Sequence, residues 1–115
     1  MAMPNSVRIY EVGPRDGLQN EATPISTADK LRYISLLHDA GLREIEATSF
    51  VRPNAIPQLA DADALMQTLG GDQEDGVRYP VLVPNERGYG RARVAGANQQ
   101  SVDRPVCRQC RAARD

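Results

Sequence analysis

Large aromatic side chains and cysteine are both scarce in this sequence. Its 115 residues include no tryptophan and a single phenylalanine, so a core must depend on Leu, Ile, Val and Ala. The two cysteines lie close together near the C-terminus. Two cysteines cannot supply the several disulfides that stabilise small secreted domains. The sequence therefore predicts an aliphatic core without disulfide support.

Long hydrophobic runs are also missing. No stretch approaches the roughly 20 consecutive apolar residues that span a bilayer. Residues 1–6 contain neither the apolar core of a secretion signal nor an Arg-rich presequence. The apolar share of 41% and the charged share of 25% are close to those of soluble globular proteins. We expect a folded, cytoplasmic protein that does not contact a membrane.

Acidic and basic residues are unevenly distributed along the chain. Residues 1–86 contain 13 acids and seven bases, a net charge of −6, whereas residues 87–115 contain seven arginines and two aspartates, a net charge of +5. A basic tail is one sign of nucleic-acid binding. This tail has no aromatic residue after Tyr89 and no recognisable binding module. We therefore expect no nucleic-acid partner.

Hydrophobic periodicity predicts strands that alternate with helices. The predicted strands cover Val7–Val12, Glu44–Phe50 and Tyr79–Val83, and the predicted helices cover 26–40, 61–69 and 86–95. Three consecutive strand–helix units favour an α/β fold with a parallel sheet. The chain is too short for a closed α/β barrel, which usually needs roughly 200–250 residues.

Polar residues follow the predicted strands at the ends where parallel α/β folds gather their catalytic groups. Arg15 and Asp16 lie side by side after the first strand, and Glu46 and Ser49 lie near the end of the second. An Asp oxygen suits Mg²⁺ or Mn²⁺, and an Arg can hold a carboxylate, a thioester oxygen or an enolate. The alternative interpretation of Arg15 and Asp16 is a neutralising surface pair.

Four motifs in order along the chain resemble those of the 3-hydroxy-3-methylglutaryl-CoA (HMG-CoA) lyase family. They are G-P-R-D-G-L-Q-N-E from Gly13, I-E-A-T-S-F from Ile45 with the V-R-P that follows it, the Pro57-Gln58 turn, and Y-P-V-L-V-P-N from Tyr79. The resemblance covers residues 5–97. It implies a metal-dependent enzyme that cleaves HMG-CoA to acetyl-CoA and acetoacetate in leucine degradation. It also implies that 1–97 form the first three units of a (β/α)₈ TIM barrel.

The resemblance also implies roles for individual residues. Asp16 matches the aspartate that binds the Mg²⁺ or Mn²⁺ ion, and Arg15 matches the arginine that binds substrate and stabilises the enolate. Glu46 matches a catalytic glutamate near the metal and substrate, and Gln19 and Ser49 are candidate substrate-binding groups. For Gln19 and Ser49 the alternative is hydrogen bonding within turns and caps. The implied partners are an acyl-CoA thioester and, for the complete enzyme, a second subunit in a homodimer.

Several features of the family are missing from the sequence. The family's metal site also uses a His-x-His pair and an asparagine from later strands, and a cysteine on a Gly-rich loop covers the substrate. The only histidine, His38, falls near the end of a predicted helix, where a cation interacts favourably with the helix dipole. Because one aspartate cannot hold a divalent ion against water, we expect the chain to be inactive by itself.

The family pattern stops after Ala97, where an apolar fourth strand ending in Ala-Ala-Ser is expected. Back-translation of the chain from Val102, read one nucleotide later, permits such a strand. We therefore predict that 98–115 form a basic, disordered tail produced by a reading-frame shift near 98–101. Cys107 and Cys110 form a C-x-x-C pair, but no further zinc ligands lie nearby.

Two other functions remain open at this point. One is an acyl-CoA condensing synthase of the same barrel superfamily, which the extended G-L-Q-N-E motif disfavours. The other is a non-catalytic interaction or metal-binding fragment in which Cys107 and Cys110 are zinc ligands.

Overall fold

The computed structural model describes residues 2–69, 76–97 and 102–103. Its strands are β1 (Tyr10–Glu11), β2 (Glu44–Ile45), β3 (Thr48–Ser49), β4 (Val81–Leu82) and β5 (Val102–Asp103), and its α-helices are α1 (Thr27–Asp39), α2 (Ala62–Leu69) and α3 (Glu86–Val94). Strands alternate with helices as predicted, so the α/β class is confirmed. The predicted helices agree with the observed ones to within one or two residues at each end, whereas the predicted strands are all longer than those observed.

Helix ends are fixed by capping side chains. Ser26 accepts a hydrogen bond from the backbone N–H of Asp29 at the start of α1, and Asn85 accepts one from Gly88 at the start of α3. These bonds satisfy N–H groups that have no partner within the helix. After α1, Gly41 has a φ of 97°, a left-handed conformation that glycine adopts readily.

The strands pair in parallel and lie beside one another in sequence order. β1 pairs with β2, and β3 pairs with β4, which in turn pairs with β5. Segment 44–49 includes both β2 and β3 and so joins the β1–β2 pair to the β3–β4–β5 group. Glu44 also forms a parallel bridge with Arg78, ahead of β4. Parallel neighbours in sequence order, each joined by a helix, are the arrangement from which a (β/α)₈ barrel is built.

One extra residue lies between β2 and β3. The pairing offset is 34 residues at Glu44 and Arg78 but 33 at Thr48 and Val81. Segment 44–48 therefore contains one residue more than segment 78–81, with which it pairs. Such an extra residue is a β-bulge. The predicted single strand over 44–50 is consequently divided in two.

The core lies between the sheet and the three helices. Its buried apolar members include Ile34 of α1, Leu65 and Met66 of α2, Ala92 of α3, and Ile45 and Val81 of the sheet. Lys30 of α1 is also buried and donates hydrogen bonds to the Gln58 carbonyl at 2.5 Å and to Asp61 Oδ1 at 2.6 Å. Since a buried ammonium group requires such partners, Lys30 fixes α1 against the start of α2.

The structure of the tail differs from the prediction of disorder over 98–115 at two positions. Val102 and Asp103 form β5 beside β4, because the backbone groups on the open edge of β4 can pair with any extended segment. Cys107 and Cys110 lie outside the described residues. In the part of the chain that the structure covers, no helix is long and apolar enough to cross a bilayer.

Candidate active site

A π-helical turn at the end of β1 positions the first candidate residues. The turn spans Gly13–Gly17, and the carbonyl of Val12 accepts hydrogen bonds from the backbone N–H groups of Arg15, at 3.1 Å, and Asp16, at 2.7 Å. Pro14 is buried beneath the turn. Gly13 packs closely against α1, because a Cβ there would require the hydroxyl end of the Tyr33 side chain to shift. The Arg15–Asp16 pair is therefore fixed at the carboxyl end of the sheet.

Arg15 is held by a carboxylate from the neighbouring strand. Its Nε–H donates to Oε1 of Glu46, whose side chain is only 4% exposed. Glu46 lies next to the bulge, and its backbone N–H donates to the carbonyl of Glu11 at 2.8 Å. The motif after the first predicted strand and the motif within the second thus meet in one ion pair, and this contact brings together two residues 31 positions apart.

Asp16 has more open surroundings than Glu46. Its side chain is 54% exposed, and its Oδ1 lies 3.5 Å from Nη1 of Arg15. Asn20 donates from its side-chain amide to the backbone carbonyl of Asp16 at 2.9 Å, which closes the turn and leaves the carboxylate accessible. Asp16 is therefore the accessible carboxylate of this cluster and the one that can contact a cation.

The described residues do not form a complete metal site. Among them, no group of three or more His, Cys, Asp or Glu side chains converges as ligands would. Divalent ions such as Mg²⁺ require several oxygen ligands in fixed geometry. Asp16 can supply one ligand, and the remaining ligands would have to come from outside the described residues.

Ser49 lies on the same face of the sheet as Glu46. Cross-strand partners point to one face, and residues two or four apart on a strand share a face. Ser49 pairs with Leu82, and Glu44 pairs with Arg78. Leu82 and Arg78 are four residues apart, so they point to the same face. The bulge therefore brings Ser49 onto the face of Glu44 and Glu46, although three residues separate Ser49 from Glu46.

The two candidate substrate-binding groups have different surroundings. The hydroxyl of Ser49 is buried and donates to the Leu82 carbonyl at 3.0 Å, which leaves its oxygen lone pairs as acceptors. Gln19 is half-buried and lies two residues beyond the Gly13–Gly17 turn. Arg15, Asp16 and Glu46 thus form a contacting cluster. Ser49 shares the face of the sheet with Glu46, and Gln19 follows the turn in sequence.

Sequence reasoning missed a second arginine near this end of the sheet. Arg91 on α3 donates to the carbonyl of Val51 at 3.0 Å and to Asp63 at 2.7 Å, and its guanidinium lies 5.4 Å from the ring centroid of Phe50. These contacts connect α3 and α2 to the segment that leaves β3. The charge pattern gave no signal for this role, because Arg91 falls among the other arginines after residue 86.

Comparison with known proteins identifies the family. The HMGL-like family model matches residues 6–106. The chain belongs to the HMGL-like family. The mitochondrial hydroxymethylglutaryl-CoA lyase of Gallus gallus is 50% identical over 101 residues, which are 88% of this chain and 33% of that protein. The cytoplasmic 3-hydroxy-3-methylglutaryl-CoA lyase of Homo sapiens is 49% identical over 100 residues, covering 87% of this chain and 26% of that protein.

Solved HMG-CoA lyases also share the fold of this HMGL-like chain. The Bacillus subtilis enzyme superposes with a TM-score of 0.75 at 51% identity, covering 85% of this chain and 32% of that one. The Acinetobacter baumannii enzyme, in complex with coenzyme A and 3-methylmalate, superposes with a TM-score of 0.71 at 42% identity, covering 79% of this chain and 29% of that one. The family resemblance drawn from the motifs is confirmed. The chain spans about a third of the length of the relatives it matches.

Proposed function

We propose that this chain forms the first three strand–helix units of a (β/α)₈ HMG-CoA lyase, which cleaves HMG-CoA to acetyl-CoA and acetoacetate. One observation carries the proposal: Arg15 is paired with the buried Glu46 at the carboxyl ends of the strands. Lyases of known structure at about half identity support it. The isolated chain would be inactive because its described residues include no group of three or more His, Cys, Asp or Glu side chains that could hold a metal ion.

Arg15 would act on the thioester part of the substrate. As a base removes the proton of the tertiary hydroxyl, the carbon–carbon bond breaks to leave the ketone of acetoacetate, and the electron pair of that bond moves onto the departing acetyl-CoA, where negative charge develops on the thioester oxygen. A guanidinium already fixed by Glu46 can stabilise that charge without first reorganising, and its terminal N–H groups can donate to the oxygen. In this proposal Glu46 positions Arg15, and Ser49 and Gln19 contact the substrate beside it.

A divalent ion would supply further charge stabilisation when bound in the complete enzyme. Asp16 is the residue of this chain that we propose as its ligand, because its carboxylate is exposed beside Arg15. The described residues do not fit an ion by themselves, so the other ligands would belong to later strands.

A chimera tests the proposed function directly. Residues 1–97 would replace the matching part of the Bacillus subtilis lyase, and cleavage of HMG-CoA would be followed by acetoacetate formation. We expect activity within about tenfold of the parent enzyme, because the two sequences are 51% identical over the part that they share. A folded chimera that makes no acetoacetate would contradict the proposal. Condensation of acetyl-CoA with a keto acid by the same chimera would instead support a synthase.

Two further assignments are proposals about the chain in its cell. We propose a cytoplasmic location, although the similar lyases include both mitochondrial and cytoplasmic proteins.

We also propose that 98–115 result from a frame shift near 98–101, with 1–97 as the lyase portion. The coding DNA tests this: a second frame should encode an apolar strand ending in Ala-Ala-Ser, and its absence would refute the frame shift.

A further inference from the structure

A buried lysine supports the backbone of Gln58. Lys30 is 2% exposed, and the proposed reaction does not use it. Its ammonium group donates to the backbone carbonyl of Gln58 at 2.5 Å and to Oδ1 of Asp61 at 2.6 Å. Asp61 also accepts a hydrogen bond at 2.6 Å from the hydroxyl of Thr27, the first residue of α1. The first turn of α1 is thus joined to segment 57–61.

The contacts of Lys30 define a position more than they add stability. A buried ion pair is a weak source of stability, because well-packed apolar side chains often do as well. The ammonium differs from an apolar side chain in that it binds one particular backbone carbonyl. Gln58 is also the middle residue of the 3₁₀ turn Pro57–Leu59, in which Leu59 is 1% exposed. Lys30 and Leu59 together therefore fix the backbone of Gln58.

The side chain of Gln58 reaches the loop that follows β1. Its amide group donates at 3.0 Å to the backbone carbonyl of Glu21, 37 positions away. The backbone N–H of Glu21 donates to the Leu18 carbonyl at 3.2 Å, which closes a short turn. Gln19 lies within this turn, and we call residues 18–21 the Gln19 turn.

The bond from Gln58 joins the Gln19 turn to the next strand–helix unit. Among the described residues, the other hydrogen bonds of this turn come from segment 13–21 itself. Glu21, at the end of the turn, is exposed. A surface turn held only by its own residues is free to shift as a unit. Gln58 thus supplies the constraint that relates the Gln19 turn to the rest of the fold.

We propose that Gln58 is a positioning residue of the lyase site. By holding the carbonyl of Glu21, it sets the Gln19 turn and so the place where Gln19 contacts the acyl-CoA substrate. This inference rests on the proposed function. Arg15 is fixed separately, because its partner is Glu46. Loss of the Gln58 bond should therefore weaken substrate binding and leave the stabilisation of the developing charge intact.

Steady-state kinetics of the lyase chimera test this role. Gln58→Met keeps the length of the side chain and removes the donor. We expect KM for HMG-CoA to rise about threefold to tenfold and kcat to stay within about twofold, as when binding common to substrate and transition state is lost. A role in folding alone would lower the active fraction, and so kcat, without a change in KM. Gln67→Met makes the same change at an exposed position of α2, and this control should match the unmodified chimera.

Hydrogen exchange of the full 115-residue chain tests the positioning without any activity. NMR would follow the backbone amide of Glu21, which donates within the Gln19 turn. We expect this amide to exchange at least about threefold faster in Gln58→Met than in the unmodified chain, because the turn opens more often. In Gln67→Met it should exchange as in the unmodified chain.

The outcomes separate the positioning role from the proposed activity. An active Gln58→Met chimera with unchanged KM, or one in which only kcat falls, would overturn the positioning role. Equal exchange of the Glu21 amide in Gln58→Met and in the unmodified chain would overturn it as well. A chimera that makes no acetoacetate would contradict the proposed function, and the exchange of the Glu21 amide would then decide the positioning role alone.

Discussion

Arg15 and Asp16 are adjacent in sequence, but their side chains differ in exposure and in their partners. Arg15 is 20% exposed and fixed by the buried Glu46, whereas Asp16 is 54% exposed. A cation held by a buried carboxylate is preorganised and keeps N–H groups for a further oxygen. The motif G-P-R-D-G predicted the side-by-side pair, but only the meeting of two distant strands gives Arg15 its fixed partner.

Glu46→Gln tests the structural importance of this ion pair. The substitution keeps the shape of Glu46 and removes its charge, which leaves Arg15 without its buried counter-ion. We expect the free energy of unfolding of the lyase chimera to fall by about 1–3 kcal/mol, as measured by urea unfolding. Glu21→Gln is the control because Glu21 is exposed, and it should have little effect. Equal stabilities of the two variants would show that the ion pair contributes nothing to folding.

At the scale of the elements, the sequence pattern did not predict two features. One is the bulge between β2 and β3, and the other is the packing of Gly88 in α3. Regular alternation would place Ser49 on the face opposite Glu46, because the two residues are three apart. The extra residue of the bulge reverses that placement. Helix boundaries were predictable from Ser26 and Asn85, since capping is a local interaction. Strand register depends on a partner strand more than 30 residues away, so local pattern cannot fix it.

Gly88 illustrates the same difference between local propensity and packing. Propensity predicts that both Gly88 and Gly90 weaken α3. In the structure, a Cβ on Gly88 would lie 2.4 Å from the backbone carbonyl oxygen of Phe50, whereas a Cβ on Gly90 would meet nothing within 4 Å. Gly88 is therefore required for the close approach of α3 to the segment that follows β3.

The two glycines form a matched pair for mutation. We expect Gly88→Ala to lower the free energy of unfolding of the chimera by about 1–3 kcal/mol, because the backbone of Phe50 must move. Gly90→Ala should leave stability unchanged or raise it by up to about 1 kcal/mol through better helix propensity. Urea unfolding midpoints measure both. A Gly88→Ala variant as stable as Gly90→Ala would contradict the close packing of α3.

At the scale of the whole molecule, the chain is a parallel sheet covered by helices, with the contacting side chains of Arg15, Asp16 and Glu46 at its carboxyl edge. The α/β class and the meeting of the motifs after two strands were predictable, because parallel strands carry their carboxyl ends to one edge. Strand β5 at Val102–Asp103 was not, since nothing in that local sequence resembles a buried strand. It pairs because β4 offers an open edge.

The incomplete site predicts weak metal binding by the isolated chain. We expect Mn²⁺ to bind with a dissociation constant of about 1 mM or higher, because Asp16 is the accessible carboxylate of the cluster. Titration of the chain with Mn²⁺, followed by electron paramagnetic resonance, measures the free ion. Asp16→Asn should give the same titration within error. Micromolar binding that Asp16→Asn abolishes would mean that the chain carries a complete metal site.

The central claim is that Arg15, held by Glu46, meets the thioester of HMG-CoA. The most direct test is the rate of acetoacetate formation by the chimera carrying Arg15→Lys, with Arg32→Lys on the exposed side of α1 as the control. Lysine keeps the charge but lacks the planar set of donors. We predict that kcat falls by about 10²–10³ in Arg15→Lys, as when an enzyme loses one donor to a developing oxyanion, and is unchanged in Arg32→Lys. An Arg15→Lys chimera with the full activity of the unmodified one would contradict it.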